Sequence, residues 1–119
     1  MKGNLLIVDD ELDLTLNMKE LLEDEANTIF IASNGEEGLK ILQTQKIDCV
    51  VSDVKMPVMD GLKFIEAARK LGFNMPFIFY TGHGSKELKK TAHDLGAMDL
   101  LTKPNFTNLE LAIRNAMAS

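Results

Sequence analysis

Three aspartates stand where short apolar runs of the chain end. Asp9 and Asp10 follow the run 5–8, and Asp53 follows the run 49–52. Short, apolar, β-branched runs of this kind are typical of strands that are buried on both faces of a sheet. A carboxylate at the edge of an apolar core is costly unless an opposite charge accompanies it. We therefore expect these three carboxylates to meet a cation.

A hydroxyl and an amine follow two further apolar runs. Thr81 comes after the run 76–80, and Lys103 comes after the run 98–101. In an open parallel sheet, ligands bind outside the carboxyl ends of the strands, where the strand order reverses. A strand order of 2-1-3-4-5 would bring Asp9, Asp10 and Asp53 together at that point. Thr81 and Lys103 would then lie on the neighbouring strands.

This set of side chains predicts phosphoryl transfer to Asp53. Three carboxylates repel one another, and too few cationic side chains accompany them to balance their charge. A hard divalent ion held by carboxylates, carbonyls and water resolves the repulsion, and Mg²⁺ is the usual choice. A carboxylate beside Mg²⁺ can attack phosphorus. Thr81 can donate an O–H, and Lys103 a positive charge, to the phosphoryl oxygens.

The elements that must position these residues alternate along the chain. Strands are predicted at 5–8, 28–32, 49–52, 76–80 and 98–101. Helices are predicted at about 12–25, after the cap residues 33–37, at about 61–71, at about 85–95 and after 104. Such alternation is typical of a single α/β domain whose parallel sheet is covered on both faces. The first helix should bury Leu14, Met18, Leu21 and Leu22, leaving Leu12 and Leu16 partly exposed. The third helix should bury Leu62, Ile65 and Ala68.

Composition excludes several classes of function. A net charge of −5 leaves no basic surplus for phosphates of a nucleic acid. No apolar run reaches membrane-spanning length, and the amino terminus has no signal-peptide pattern. Cys49 is the one cysteine and is expected to be a small core residue. We therefore expect a cytoplasmic protein that contacts neither membrane nor nucleic acid directly.

Four motifs and a closing tripeptide make the chain similar to the response-regulator receiver domain of two-component signalling over nearly its whole length. They are Val8-Asp9-Asp10-Glu11, Asp53-Val54-Lys55-Met56-Pro57-Val58-Met59-Asp60-Gly61, Thr81-Gly82-His83, Gly96-Ala97-Met98-Asp99 and Thr102-Lys103-Pro104. The resemblance implies a flavodoxin-like three-layer sandwich, with a five-stranded parallel sheet of order 2-1-3-4-5 and five helices. It also implies one receiver domain over 1–119.

The resemblance implies a role for each acidic residue. Asp53 would accept a phosphoryl group from a sensor histidine kinase or a phosphotransfer protein. Asp10 would bind Mg²⁺ directly, and Asp9 largely through water. The backbone carbonyl of Lys55 would complete the protein ligands. Apart from its own phosphorylation and dephosphorylation, the chain would not be an enzyme.

The resemblance also assigns a switch. Thr81 and Lys103 would hold the phosphoryl oxygens, and Thr81 would move towards them on activation. The peptide bond before Pro104 would be cis, an isomer accessible mainly before proline. The surface of the fourth helix, fifth strand and fifth helix would bind an unknown downstream protein or a fused output domain. The chain could also form a homodimer on phosphorylation. It could be either a stand-alone receiver or part of a longer regulator.

The chain departs from the family pattern at Leu100, where an aromatic residue usually rotates on activation. Phosphorylation should survive this change, but the form of the switch cannot be transferred. Two further residues near the acceptor are candidate modulators. The side chain of Lys55 could hold the phosphoryl group or restrict water, and His83 could influence the access of water.

Other functions and simpler roles fit these residues less well. A haloacid-dehalogenase-like phosphatase needs an Asp two residues after its nucleophile, where Lys55 stands. A flavin-binding protein needs a Ser/Thr/Gly-rich phosphate loop after the first strand, where Asp9 and Asp10 would repel phosphate. A degenerate receiver used only as a scaffold is the remaining alternative. Locally, residues 9–11 could cap the first helix, and Asp60 the third.

Overall fold

The computed structural model describes residues 2–118 and shows strands alternating with helices along this range. The strands are β1 (Asn4–Val8), β2 (Thr28–Ala32), β3 (Cys49–Ser52), β4 (Phe77–Thr81) and β5 (Asp99–Thr102). The helices are α1 (Leu12–Leu22), α2 (Gly35–Thr44), α3 (Gly61–Lys70), α4 (Lys86–Asp94) and α5 (Phe106–Met117), and a 3₁₀ turn at Glu23–Glu25 follows α1. None of the helices in this range is both long and apolar enough to cross a membrane.

The five strands form one parallel sheet in the order β2-β1-β3-β4-β5, as predicted. The register places Val8 opposite Ser52, so the residues that follow β1 and β3 emerge side by side. It also places Thr81 opposite Thr102 at the end of β4 and β5. The polar residues that follow these strands therefore meet at one edge of the sheet.

Two apolar layers cover the sheet, which gives the predicted three-layer sandwich. On one face, Leu6, Val50 and Phe79 pack with α2, α3 and α4. On the other face, Ile7 and Ile78 pack with α1 and α5. Because both faces are covered, the inner strands are apolar at nearly every position.

Side-chain caps begin three of the helices. Asn34 accepts a hydrogen bond from the Glu37 backbone N–H, and Asp60 accepts one from that of Lys63. Ser85 caps α4 in the same way. Glu11 occupies the corresponding position of α1 without such a bond. The cap at Asp60 is therefore confirmed, and Glu11 does not cap α1 through its side chain.

The buried face of α1 differs from the prediction. Thr15, Met18 and Leu22 are buried, whereas Leu21 is 61% exposed. Residues 15, 18 and 22 lie on one face of a helix with 3.6 residues per turn. Leu14 lies at the edge of this face, and Leu21 lies beyond it. The α-helix also ends at Leu22, with the 3₁₀ turn replacing its predicted last turn. Leu12 and Leu16 are exposed, as predicted.

The remaining differences are small. β4 and β5 each begin and end one residue later than predicted. In α3, Ile65 and Ala68 are buried as predicted, but Phe64 is buried as well and Leu62 only partly. Phe64 fills the space beneath Gly38 of α2, where a side chain would collide with its ring.

Candidate functional site

The three aspartates meet at the junction of β1 and β3. Each offers a carboxylate oxygen, and these atoms lie within 4.8 Å of one another. The register explains the meeting, because the backbone N–H of Asp53 donates to the Val8 carbonyl at 2.9 Å. Asp9 is buried and Asp10 is exposed, while the Asp53 side chain is 11% exposed. The cluster thus runs from the core edge to solvent.

Lys103 reaches this cluster from the end of β5. Its ammonium donates to Asp9 Oδ2 at 2.9 Å and to Asp53 Oδ2 at 3.3 Å. Burial lowers the pKa of Lys103, but the hydrogen bond to Asp9 and the charges of both carboxylates outweigh it, so the pKa is raised. One largely buried cation therefore already balances part of the acidic charge. Lys103 balances more of the acidic charge than the sequence predicts, because composition does not show that one lysine pairs directly with two carboxylates.

Asp53 is held by its own loop as well as by Lys103. Its Oδ1 accepts from the Val54 N–H at 2.7 Å, and its backbone carbonyl accepts from the Ser52 hydroxyl at 2.8 Å. A Cβ at Gly61 would collide with that same carbonyl oxygen. Close approach of α3 to Asp53 therefore requires glycine at this position.

Thr81 and the turn after β5 lie next to each other. Thr81 is 2% exposed, and its carbonyl accepts from the Lys103 N–H at 2.7 Å. The hydroxyl of Thr81 accepts from the His83 N–H at 3.4 Å, and His83 itself is exposed. The Lys103–Pro104 peptide bond is cis, the isomer that the resemblance implied.

Two further candidate residues, Lys55 and Leu100, lie outside the carboxylate cluster. Lys55 follows Asp53 by two residues and is exposed. Leu100 is 5% exposed and belongs to the apolar layer beneath α4. It also lines a groove of about 330 Å³ between α4 and β5. The position usually held by an aromatic ring is thus an aliphatic core position here.

Two residues near the site carry features that the sequence motifs do not indicate. Tyr80 accepts a hydrogen bond from the Asn105 N–H at 2.8 Å. A buried tyrosine hydroxyl usually has a hydrogen-bond partner, so the tyrosine in this apolar strand could have indicated such a contact. Val58 has φ 67°, a left-handed conformation that is rare for a β-branched residue. Nothing in its sequence context indicates this strain.

The carboxylate cluster fits a hard divalent cation. Its donors are all oxygens, and they lie close enough to share one ion. Lys103 donates to one oxygen of Asp9 and one of Asp53, so a bound ion and this ammonium would compete for these two carboxylates. The chemistry of the site therefore suits Mg²⁺ better than a softer metal, which prefers sulfur or imidazole.

Comparison with known proteins places the chain in a family. The family model described as "Response regulator receiver domain" matches residues 5–114. The chain belongs to this family. Receiver domains are parts of two-component response regulators, which interact with histidine kinases and output domains, and they are not enzymes in the usual sense.

Curated relatives of this receiver domain are longer proteins. It is 38% identical to the transcriptional regulatory protein CpxR of Escherichia coli (strain K12), over 94% of this chain and 47% of CpxR. It is 37% identical to the transcriptional regulatory protein GlrR of the same organism, over 86% of this chain and 23% of GlrR. The chain therefore spans less than half the length of both relatives.

Solved receiver domains share its fold. The structure of a response regulator receiver domain protein from Clostridium thermocellum superimposes with a TM-score of 0.87 at 35% identity, over 97% of this chain and 94% of that one. This agreement confirms the flavodoxin-like sandwich with strand order 2-1-3-4-5.

Proposed function

We propose that the chain is a single phosphoacceptor receiver in which Asp53 takes a phosphoryl group from a histidine kinase or a phosphotransfer protein. The observation that carries the proposal is the meeting of Asp9, Asp10 and Asp53 with the Lys103 ammonium at one edge of the sheet. A cation held beside partly exposed carboxylates suits phosphoryl transfer, because it can stabilise the charge on the phosphoryl oxygens.

The acceptor step conserves atoms and charge. A carboxylate oxygen of Asp53 attacks the phosphorus of a phosphohistidine, and an O–P bond forms as the P–N bond breaks. The imidazole nitrogen leaves with the bonding electron pair and takes up a proton. Oδ2 is the proposed attacking oxygen, because it faces the Lys103 ammonium that would hold the phosphoryl oxygens, whereas Oδ1 accepts from the Val54 N–H.

Lys103 and Thr81 would stabilise the charge that develops. When the phosphoryl group arrives, Lys103 can transfer its hydrogen bonds from the carboxylates to the phosphoryl oxygens. Thr81 ends the neighbouring strand and can donate its O–H to the same oxygens. Mg²⁺ bound by Asp9, Asp10, Asp53 and the Lys55 carbonyl would neutralise charge on the phosphoryl oxygens. Lys55 and His83 remain candidates for controlling water, since both are exposed and follow Asp53 and Thr81, respectively, by two residues.

Output would be carried by the surface of α4, β5 and α5. The groove between α4 and β5 is lined by Lys86, Lys89, Lys90 and His93 on one side and by Met98 and Leu100 on the other. Such a surface suits a protein partner or a fused output domain, or a second copy of the chain. CpxR and GlrR are transcriptional regulatory proteins. A link to transcription through a further domain or partner is the corresponding proposal for this chain.

Intact mass spectrometry tests the proposal. The protein is incubated with Mg²⁺ and acetyl phosphate, beside the Asp53→Asn variant and a sample without Mg²⁺. One added phosphoryl group in the wild type alone supports the proposal and identifies the acceptor. No adduct on a folded, Mg²⁺-binding protein would overturn it and favour a phosphorylation-independent scaffold.

A further inference from the structure

Tyr80 lies between the acidic site and the start of α5. It directly precedes Thr81 in β4, and its ring belongs to the apolar layer on the α1 and α5 face of the sheet. Only 5% of it is exposed. It is also the single tyrosine of a chain that contains no tryptophan.

Tyr80 contacts both ends of the turn that joins β5 to α5. The Lys103 ammonium lies 5.8 Å from the centroid of its ring, within the range of a cation–π attraction. The hydroxyl accepts from the Asn105 N–H at 2.8 Å. One side chain thus holds the residue that enters the acidic site and the residue that begins the helix.

The contact with Asn105 matters because α5 has no side-chain cap. Asn105 is the N-cap residue, yet its side chain makes no capping hydrogen bond. Its carbonyl accepts from the Leu109 N–H at 3.1 Å, the first hydrogen bond of the helix. The backbone of Asn105 is therefore fixed by Tyr80 on one side and by the helix on the other.

We propose that Tyr80 is a positioning residue that couples the occupancy of the acidic site to the start of α5. The inference rests on the proposed function, because it requires Lys103 to shift when a phosphoryl group reaches Asp53. A shift of that ammonium changes its attraction to the ring, and the hydroxyl passes the change to Asn105. β5 contains no aromatic residue, and the ring that lies near Lys103 belongs to β4.

Tyrosine fluorescence of the wild type gives the first test, because Tyr80 is the only tyrosine in the sequence and there is no tryptophan. Mg²⁺ with acetyl phosphate should change the emission in proportion to the phosphorylated fraction measured by intact mass. Asp53→Asn should show no such change. A full adduct without any change in emission would overturn the coupling while leaving the phosphoacceptor proposal intact. Absence of the adduct itself would be a failure of the proposed function.

Amide hydrogen exchange at Asn105 gives the second test. In Tyr80→Phe, which keeps the ring and loses the hydroxyl, this amide should exchange about fivefold faster, as expected for one lost hydrogen bond. In the wild type, phosphorylation should alter the exchange of this amide by about fivefold or more. The variant should lose most of that response. An equal response in both proteins would overturn the coupling and show that Tyr80 only packs the core. Tyr80→Leu lacks both the ring and the hydroxyl, so its comparison with Tyr80→Phe measures what the ring alone contributes.

Discussion

The ammonium of Lys103 lies 2.9 Å from the Asp9 carboxylate, although 94 residues separate the two in sequence. The Lys103 side chain is 17% exposed and that of Asp9 is 4% exposed, so the pair is largely removed from water. A buried carboxylate that loses its ammonium partner carries an uncompensated charge. Removal of the Lys103 ammonium is therefore expected to destabilise the fold.

Lys103→Met should lower the free energy of unfolding by about 2 kcal/mol or more in the absence of Mg²⁺. It should also tighten Mg²⁺ binding, because the ammonium no longer competes for Asp9 and Asp53. Urea unfolding with and without Mg²⁺ measures both effects, since a ligand of the folded state adds more stability the more tightly it binds.

Lys89→Met is the matched control for this variant. Lys89 pairs with Asp99 at 3.6 Å on the surface, where its side chain is 62% exposed. Its replacement should change stability by less than about 1 kcal/mol and leave Mg²⁺ binding unchanged. Equal Mg²⁺ affinity in Lys103→Met and the wild type would contradict the competition.

The strands and the aspartates at their ends were predictable from the apolar pattern, whereas the sheet order that brings the aspartates together was implied by the family resemblance. Apolar runs end at Val8 and Ser52, and parallel strands deliver the next residues to one edge. Leu21 was wrongly predicted to be buried, because the spacing of apolar residues defines the direction of a helix face only to within tens of degrees. The contact that buries Thr15 depends on how α1 lies on the sheet.

Long-range polar contacts were beyond the sequence. The spacing of Tyr80 and Asn105 gives no sign that a hydroxyl and an N–H meet across 25 residues. The pairing of Lys103 with two carboxylates depends on side-chain geometry in the same way. The conformation of Val58 follows from the closure of its loop, and local preference would oppose it.

Val58→Gly should stabilise the protein. Val58 has φ 67° and is 75% exposed, and the Met59 N–H donates to the Pro57 carbonyl across it at 2.7 Å. This is a γ-turn of the strained hand, which costs more for a residue with a Cβ than for glycine. Glycine also increases the conformational entropy of the unfolded chain, which offsets part of this benefit. The free energy of unfolding should still rise by about 0.5–1 kcal/mol. Thermal unfolding measures it.

Val58→Ala is the control for that gain. Alanine keeps a Cβ at the same positive φ, so it should gain clearly less than glycine. Equal stabilisation by both variants would mean that the exposed side chain, rather than the backbone, causes the effect.

Gly61→Ala should destabilise the protein and displace Asp53. A Cβ at this position collides with the Asp53 carbonyl oxygen and also meets the Phe79 ring at 2.8 Å. The loop must therefore move, and we expect a loss of about 1–3 kcal/mol with slower phosphorylation by acetyl phosphate. Gly82→Ala is the matched control, because a Cβ added at Gly82 would meet no atom within 4 Å. If both variants behave alike, close approach at Gly61 is not what requires glycine.

Cys49 should make stability fall in alkaline solution. Burial raises the pKa of its thiol to about 12, whereas a thiol in the unfolded chain ionises near pH ~8.5. Between these values the unfolded state binds fewer protons than the folded state, so the free energy of unfolding decreases as pH rises, by about 1.4 kcal/mol per pH unit from this group. Urea unfolding of the wild type and Cys49→Ala across this range isolates the contribution, because the other titrating groups are common to both proteins. The variant should show the shallower decline, and parallel curves would mean that the folded state lets the thiol ionise as readily as the unfolded chain does.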